Sequence, residues 1–282
     1  MNKLTAYGKV YLVGAGPGAA DLITMRGAKL LERAEIVFHD ALVEPEMLAL
    51  CPQAIKVAVG KRCGKLSSVQ QFINKRLVDA AQKYKTVVRL KGGDPMLFGR
   101  ADEELQTLHH AGIEVEVVPG ITAALAGAAS LQQSLTLRGI SRSVAFITLA
   151  QATENTPAAC KNSPIQNPSA DTLVYYMGRK DAAKIAQQLI CNSPNLSGNT
   201  PVHILEAVST PRERHWSSTL DELAIGAADQ WFDSGSPALI MVGQALQEKA
   251  HAKTQAVLEG AGAKVNDGLQ NSLVLAHRKR RA

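Results

Sequence analysis

The chain has 282 residues, of which 46% are hydrophobic, and a formal net charge of +6 at pH 7. A single hydrophobic core rarely serves a chain of this length, so two domains are expected. No apolar stretch approaches the roughly 20 residues of a membrane-spanning helix, and the first residues lack the apolar part of a signal peptide, which argues against a membrane protein. The four cysteines form no CxxC pair. This argues against a metal site or a disulfide framework and favours the cytoplasm.

The positive charge is unevenly distributed. Residues 278–281 supply four cations at the C-terminus, and aromatic residues make up only 4% of the chain, so nucleic acid is not an expected partner. Other cations lie next to glycine-containing loops, where they would suit a small anionic substrate. These cations are Lys61, Arg62, Arg89, Lys91 and Arg100.

The first half of the chain alternates short apolar runs with amphipathic segments, which predicts a parallel sheet with crossover helices. The predicted strands are 9–13, 34–40, 54–59, 86–90 and 115–118. The predicted helices are 22–33, 42–50, 69–82, 101–111 and 123–131. We predict an N-terminal α/β domain over 1–135.

The second half contains more strands and fewer crossovers, which predicts a mixed sheet in a C-terminal α/β domain over 136–246. Strands are predicted at 144–148, 172–178, 202–206 and 238–243, with a helix at 182–191 and a hairpin around 212–220. Two segments are predicted to lack regular structure: a mobile excursion rich in Pro, Asn, Ser and Thr at 152–170, and a basic tail at 247–282.

A loop at 91–95 directly follows the β-branched run 86–90, which is typical of a buried strand. The paired glycines Gly92 and Gly93 let a ligand approach the main chain, and Pro95 sets the direction in which the chain leaves. Ligands of open α/β sheets bind at loops that follow parallel strands, so this loop is a candidate binding site. A tight strand-to-helix turn without a ligand would give the same local pattern.

Residues 14–19 match the dinucleotide fingerprint GxGxxG/A after a strand, and Asp40 imitates its ribose-binding acid. This pattern predicts an NAD-dependent oxidoreductase. Two features oppose it: Pro17 removes a main-chain donor that a pyrophosphate would need, and 18–21 looks like a loop, so that the helix starts late. The fingerprint also leaves the loops at 91–95 and 119–120 unexplained.

Seven motifs follow one another along the chain: GAGPG at 14–18, DALV at 40–43, VGKR at 59–62, RLKGGDP at 89–95, FGR at 98–100, VVPGIT at 117–122 and YMG at 176–178. In this order and spacing they resemble the tetrapyrrole methylase family, over about residues 8–245. The resemblance implies two α/β domains with S-adenosylmethionine bound in the cleft between them, usually in a homodimer. It also implies methylation of uroporphyrinogen III at C2 and C7, which gives precorrin-2 and S-adenosylhomocysteine on the route to sirohaem, cobalamin or haem d1.

The residue types agree with such chemistry. A sulfonium methyl group is already activated, so the protein must orient it towards the pyrrole carbon. Loss of the ring proton afterwards requires an acid–base group. The substrate carries eight carboxylates, so cations are expected at the mouth of the site.

The resemblance assigns roles to individual positions. The implied cofactor-binding residues are Pro17, Gly92, Gly93, Asp94, Leu97, Thr122, Ala123, Met177, Val208 and Ala238. The implied proton acceptor and donor are Asp40 and Lys61. The implied substrate-binding residues are Arg100, Glu103, Arg138 and Met177. Arg100 is also a candidate catalytic residue, although its permanent charge favours carboxylate binding.

Each assignment has a structural alternative. Asp40 could cap a strand end, and Lys61 with Arg62 could form a solvated turn. Glu103 could only complement a helix dipole. Met177 could belong to the core.

The sequence departs from the family pattern at several positions. A histidine is replaced by Leu137, a glycine by Val208, a Gly-Gly pair by Ala101-Asp102, and a Thr-Gly-His motif by residues 148–150; Leu66 stands near another usual histidine. These departures lie mainly on the substrate side and leave the cofactor loops nearly complete. Two alternatives therefore remain: a methylase of another precorrin, and a degenerate paralogue that binds cofactor or tetrapyrrole without turnover.

Overall fold

The computed structural model describes residues 7–59, 66–149 and 169–247. Several predictions fall outside these residues: those for Lys61 and Arg62, for most of the excursion at 152–170 and for the basic tail.

The first five strands form one fully parallel sheet in the order β3-β2-β4-β1-β5. The strands are β1 Lys9–Gly14, β2 Ile36–His39, β3 Ile55–Ala58, β4 Thr86–Lys91 and β5 Val115–Val118. The helices are α1 Met25–Glu32, α2 Pro45–Ala49, α3 Leu66–Ala81, α4 Ala101–His110 and α5 Ala123–Ser130. The predicted parallel α/β architecture of the first half is thus confirmed.

Local chemistry explains where two of these helices begin. The predicted helix at 22–33 is a 3₁₀ turn, Ala20–Leu22, followed by α1. Helix α1 begins at Met25 because the Thr24 hydroxyl accepts the Gly27 N–H at 3.2 Å, as an N-cap does. Helix α2 begins at Pro45 rather than at 42, since proline suits the first helical position.

The second sheet is mixed, as predicted, with the order β6-β7-β10-β8-β9. Its strands are β6 Val144–Thr148, β7 Thr172–Tyr176, β8 Pro201–Glu206, β9 Arg214–Thr219 and β10 Ala238–Gly243; its helices are α6 Ala182–Asn192 and α7 Leu220–Ala224. Only β6 and β7 pair in parallel; the other neighbours are antiparallel. Strands β8 and β9 form the predicted hairpin.

Helix α5 packs against the second sheet. Its buried Ala124 and Ala126 share a core cluster with Leu205 and Met241. Gly127 is close enough that an added Cβ would lie 3.5 Å from Leu205 Cδ2 and 3.6 Å from Met241 Sδ, so small residues allow the close approach. The described chain up to Leu246 forms one compact unit that contains both sheets. A domain boundary near residue 135 stays a prediction.

Within the described part of the chain, we find no helix with both the length and the apolar character needed to cross a bilayer.

Candidate active site

Three loops leave the carboxyl ends of the adjacent strands β4, β1 and β5: the β1 loop (14–19), the β4 loop (91–95) and the β5 loop (119–122). Gly16 and Gly93 exchange two main-chain hydrogen bonds, of 3.2 and 2.7 Å. Asp94 Oδ2 accepts the Gly120 N–H at 2.9 Å, which ties the β4 loop to the β5 loop. The three loops therefore form one rigid platform at the edge of the sheet where α/β proteins bind ligands.

Two glycines of this platform are needed for packing. A Cβ on Gly14 would lie 2.6 Å from Gly120 Cα, and a Cβ on Gly120 would overlap the Gly93 carbonyl oxygen. Real Cβ atoms do not approach other atoms this closely. Gly14 and Gly120 are therefore required for contact between loops, independently of any ligand.

Gly92 has no such reason to be glycine. A Cβ added there would meet nothing nearer than Leu42 Cβ, at 3.9 Å, and its φ is outside the left-handed range. The main chain at Gly92 faces open space. The β4 loop thus leaves room for a group to lie against its backbone.

The β1 loop contacts the second sheet through the segment 207–210. The Ser209 hydroxyl oxygen accepts the Ala19 N–H at 3.1 Å. A Cβ on Gly18 would lie 2.5 Å from Thr210 Cγ2 and 2.9 Å from the Val208 oxygen. Pro17 therefore precedes two residues that contact the segment around Val208. Ala238 pairs with Glu206, two residues before Val208, in the register of β10 with β8.

Backbone strain in this segment lies beside Val208 rather than at it. Ala207 and Ser209 have left-handed backbones, with φ of +48° and +61°, whereas Val208 has ordinary geometry. Val208 thus replaces the family glycine at a position without left-handed geometry, and its effect on the cofactor stays a prediction. Left-handed geometry costs roughly 1–2 kcal/mol for a residue with a Cβ, so Ala207 and Ser209 are held there by surrounding contacts.

Tyr176 connects the β5 loop to strand β7. Its hydroxyl lies 2.6 Å from Thr122 Oγ1 and accepts the Ala124 N–H at 3.1 Å. Burial raises the pKa of Tyr176 above its ordinary value. The ring packs 5.1 Å from Phe98 and 6.1 Å from Phe146, measured between centroids.

Met177 follows Tyr176 with a left-handed backbone, φ +57°, and its residue is 57% exposed. The alternative that Met177 belongs to the core is wrong. Met177 follows Tyr176, whose hydroxyl contacts Thr122, the N-cap residue of α5, and this contact connects the segment around Met177 to the β5 loop. The structure thus brings together most of the residues assigned to the cofactor, with Leu97 half-buried in the turn that follows Asp94.

Next to the platform lies a set of ionic side chains, the charge cluster, formed by the partly exposed Asp40 and the buried Arg89, Lys91 and Glu104. Arg89 Nη2 donates to Asp40 Oδ1 at 2.5 Å, and Arg89 Nε donates to Glu104 Oε1 at 3.1 Å. Lys91 Nζ donates to Glu104 Oε2 at 2.9 Å. Asp40 is therefore part of an ionic network and is more than a strand-end cap.

The charge cluster corrects one expectation from the sequence. Arg89 and Lys91 are each 3% exposed and paired with carboxylates, so they do not present charge to a substrate. Burial alone would lower the pKa of Arg89, but the carboxylates of Asp40 and Glu104 raise it overall. Burial and the adjacent guanidinium lower the pKa of Lys91. The sequence did not indicate this, because β4 is buried on both faces and its residues show no alternation of apolar and polar types that would mark Arg89 and Lys91 as buried.

Arg100 and Glu103 lie together at the start of α4. Arg100 Nε and Nη2 donate to the two carboxylate oxygens of Glu103 at 2.6 and 2.7 Å, and both side chains are nearly half exposed. The bidentate contact fixes the direction of the guanidinium. Arg138 is exposed in a separate turn, closed by the Leu137 N–H bond to the Ser141 oxygen at 2.9 Å.

The described residues contain no group of three or more His, Cys, Asp or Glu side chains able to hold a metal ion.

Comparison with solved structures defines the class of this protein. Uroporphyrin-III C-methyl transferase from Thermus thermophilus, solved as a complex with S-adenyl homocysteine, superposes with a TM-score of 0.69; the two are 36% identical, and the match covers 85% of this chain and 99% of that one. The fold is therefore that of an α/β methyltransferase. Residues 9–224 match the family model for Tetrapyrrole (Corrin/Porphyrin) Methylases. The chain belongs to the tetrapyrrole methylase family.

Two curated relatives differ in how much of their length the chain covers. Uroporphyrinogen-III C-methyltransferase of Pseudomonas aeruginosa is 41% identical over 241 residues, which are 86% of this chain and 95% of that protein. Siroheme synthase of a Psychrobacter species is 40% identical over 84% of this chain, but the match spans only 47% of that protein. The chain thus corresponds to nearly the whole of the first relative and to about half of the second.

Proposed function

We propose that the chain is an S-adenosylmethionine-dependent methyltransferase that methylates uroporphyrinogen III at C2 and C7 to give precorrin-2 and S-adenosylhomocysteine. Two findings support this function: the family to which the chain belongs, and its match to nearly the whole length of a relative named uroporphyrinogen-III C-methyltransferase. The observation that carries it is the open main chain at Gly92 beside the Asp40 carboxylate, because a methyl donor and an acid–base group are needed at one place.

The residues present fit the cofactor. Gly92 leaves a cradle that a side chain would partly fill, and the exposed Met177 offers an apolar surface to an adenine ring. Gly93, Asp94 and Thr122 contribute main-chain and small polar groups around the same cradle. The cofactor, when bound, supplies an activated methyl group. The remaining proposed contacts are Pro17, Leu97, Ala123, Val208 and Ala238.

The proton chemistry falls to Asp40 in this proposal. Its carboxylate is 34% exposed, so it reaches the open side of the platform while remaining bonded to Arg89. A carboxylate in this position accepts the proton lost from the methylated ring. Lys61, the proposed proton donor, lies outside the described residues.

Substrate binding is proposed for Arg100, Glu103, Arg138 and Met177. Glu103 orients the guanidinium of Arg100, whose permanent charge attracts a substrate carboxylate. Arg100 is the third residue of our proposed catalytic set, but it acts through binding, because a guanidinium does not give up its proton in proteins.

The test is anaerobic turnover of uroporphyrinogen III, with S-adenosylhomocysteine and product mass as readouts. We expect two methyl groups per substrate, and a loss of rate on the order of 10²-fold or more in Asp40→Asn. The exposed surface variant Asp79→Asn is the matched control and should be as fast as wild type. Cofactor binding without methyl transfer would instead indicate a degenerate paralogue or a methylase of another precorrin.

We further propose a cytoplasmic homodimer whose product enters the sirohaem, cobalamin or haem d1 branch. Strand β6 lies at an edge of the second sheet, and an open groove of about 530 Å³ runs beside it, lined by Leu125 and Phe146 among others. Both side chains are exposed in the single chain, which favours burial against a second copy. Sedimentation equilibrium that shows only monomers at micromolar concentration would contradict the dimer.

A further inference from the structure

The buried part of the charge cluster is formed by two residues of strand β4 and one residue of helix α4. Arg89 and Lys91 are two residues apart on β4, so their side chains leave the same face of the sheet. Both reach Glu104, which lies on α4 and is completely buried. Gln70 adds a further bond, from its Nε2 to Glu104 Oε1 at 3.2 Å. Every carboxylate oxygen of Glu104 is therefore occupied by a buried donor.

Stability is a poor explanation for this arrangement. Taking charges out of water is costly, and apolar side chains of similar volume often replace a buried ionic network with no loss of stability. The cluster carries two cations and two anions, so it is neutral as a whole. Three of its four members are 0–3% exposed, whereas Asp40 is 34% exposed. Its one solvent-facing group is thus the carboxylate at the open platform.

Arg89 determines where that carboxylate points. The planar guanidinium donates through Nε to Glu104, through Nη1 to the Leu90 oxygen at 3.1 Å and through Nη2 to Asp40. Because these donors have a fixed mutual geometry, the direction of the Asp40 contact is set by the other two. Asp40 Oδ2 then lies 3.4 Å from the Gly92 nitrogen, on the open side.

We propose that Arg89 and Glu104 are positioning residues: Glu104 holds the guanidinium of Arg89, which in turn holds the Asp40 carboxylate in its reactive orientation. This inference rests on the proposed function, in which Asp40 accepts the proton. Arg89 and Glu104 act only through Asp40 and do not touch cofactor or substrate.

The experiment is a double-mutant cycle on the full chain, with Arg89→Lys and Asp40→Asn. Lysine keeps the charge but cannot hold both carboxylates in a planar fork. We expect Arg89→Lys to lower kcat on the order of 10²-fold, because a misplacement of a catalytic group by about 1 Å causes a loss of this size. KM and the Kd for S-adenosylhomocysteine should change by less than about twofold. Once Asp40 is Asn, Arg89→Lys should lower kcat by less than about twofold further, because its partner's role is already lost. Glu104→Gln, measured as a single variant, should also lower kcat while KM and the Kd for S-adenosylhomocysteine change little.

A matched control separates positioning from damage to the fold. Arg214 pairs with the fully buried Glu206 in the second sheet, so Arg214→Lys also loosens a buried carboxylate pair. Because the Arg214 side chain is 45% exposed, Arg214→Lys should lower the melting temperature less than Arg89→Lys does, and it should leave kcat unchanged. Independent, multiplicative losses in the cycle, or an unchanged kcat in Arg89→Lys, would overturn the positioning role and leave the proposed function intact. A wild-type chain that transfers no methyl group overturns both.

Discussion

Two regions bring the proposed cofactor residues together, and they do so in different ways. In the platform of the first sheet, glycines let three loops touch main chain to main chain; Gly16 and Gly93 are even hydrogen-bonded as a pair. On the second sheet, residues with a Cβ adopt left-handed backbones at Met177, Ala207 and Ser209. Side chains such as Tyr176, rather than backbone contacts, then connect this region to the platform.

The difference shows how much substitution each region tolerates. A Cβ on Gly14 or Gly120 of the platform would collide with main-chain atoms, which cannot move without separating the loops. A Cβ at Ala207 only strains its own residue, at a cost of roughly 1–2 kcal/mol. The platform residues 14–19, 91–95 and 119–122 contain none of the departures from the family pattern, which agrees with this difference. The departures lie in both halves of the chain: Leu66 and Ala101-Asp102 in the first half, and Leu137, 148–150 and Val208 in the second.

The largest effect is expected for Gly120→Ala. The added Cβ would overlap the Gly93 oxygen and lie within 2.8 Å of Gly14 Cα, so two loops must separate. We expect the free energy of unfolding to fall by about 3 kcal/mol and the affinity for S-adenosylhomocysteine to fall with it. Urea denaturation and calorimetry measure both. A variant with wild-type stability would show that the platform is more compliant than its contacts indicate.

Gly92→Ala should separate affinity from stability. A Cβ at this position meets nothing nearer than 3.9 Å, so the melting temperature should stay within about 2 °C of wild type. The same methyl group would occupy the proposed cofactor cradle, and we expect the Kd for S-adenosylhomocysteine to rise about tenfold, or about 1.4 kcal/mol. Gly120→Ala is the natural comparison, because it should lower both the stability of the fold and the affinity for S-adenosylhomocysteine. Unchanged affinity in Gly92→Ala would exclude this surface as the cofactor site.

A third variant tests the strain on the second sheet. Ala207→Gly removes a backbone penalty of roughly 1–2 kcal/mol and adds about 0.5–1 kcal/mol of unfolded-chain entropy, so we expect the free energy of unfolding to rise by up to about 1.5 kcal/mol. Ala186→Gly, in the middle of α6, serves as the control and should lose about 1 kcal/mol. Thermal unfolding of both measures the contrast. If Ala207→Gly is also destabilising, contacts of the Cβ outweigh its backbone strain.

Much of this architecture was readable from the sequence, because alternating strands and helices leave few topologies and the glycine motifs mark the loop positions. The charge cluster was not. Arg89 and Lys91 stand in a strand that is buried on both faces, and their partner Glu104 is one of several acids in a helix N-terminus. Only the packing of α4 on β4 distinguishes Glu104, which is fully buried, from Glu103, which is exposed. The left-handed geometry of Ala207 was equally hidden, since alanine gives no local signal for it.

The smallest expected effect concerns acid stability at the start of the second sheet. Asp171 Oδ2 accepts the Arg142 N–H at 2.8 Å and the Ser143 hydroxyl at 2.7 Å, which joins β6 to β7. These bonds lower the pKa of Asp171 below its ordinary value of 3.8. A carboxylate whose pKa is lower in the folded state stabilises the fold above its unfolded pKa, and that contribution is lost as the pH falls through the folded pKa.

Asp171→Asn should therefore differ most from wild type near neutral pH, where it is the less stable chain. The difference should shrink as the pH falls below about 4, because the wild-type carboxyl then also becomes neutral. Melting temperatures measured from pH 7 down to pH 3 give both curves, with Asp79→Asn on the surface of α3 as control. A gap between wild type and Asp171→Asn that stays constant over this range would mean that the side chain acts through its shape and not through its charge.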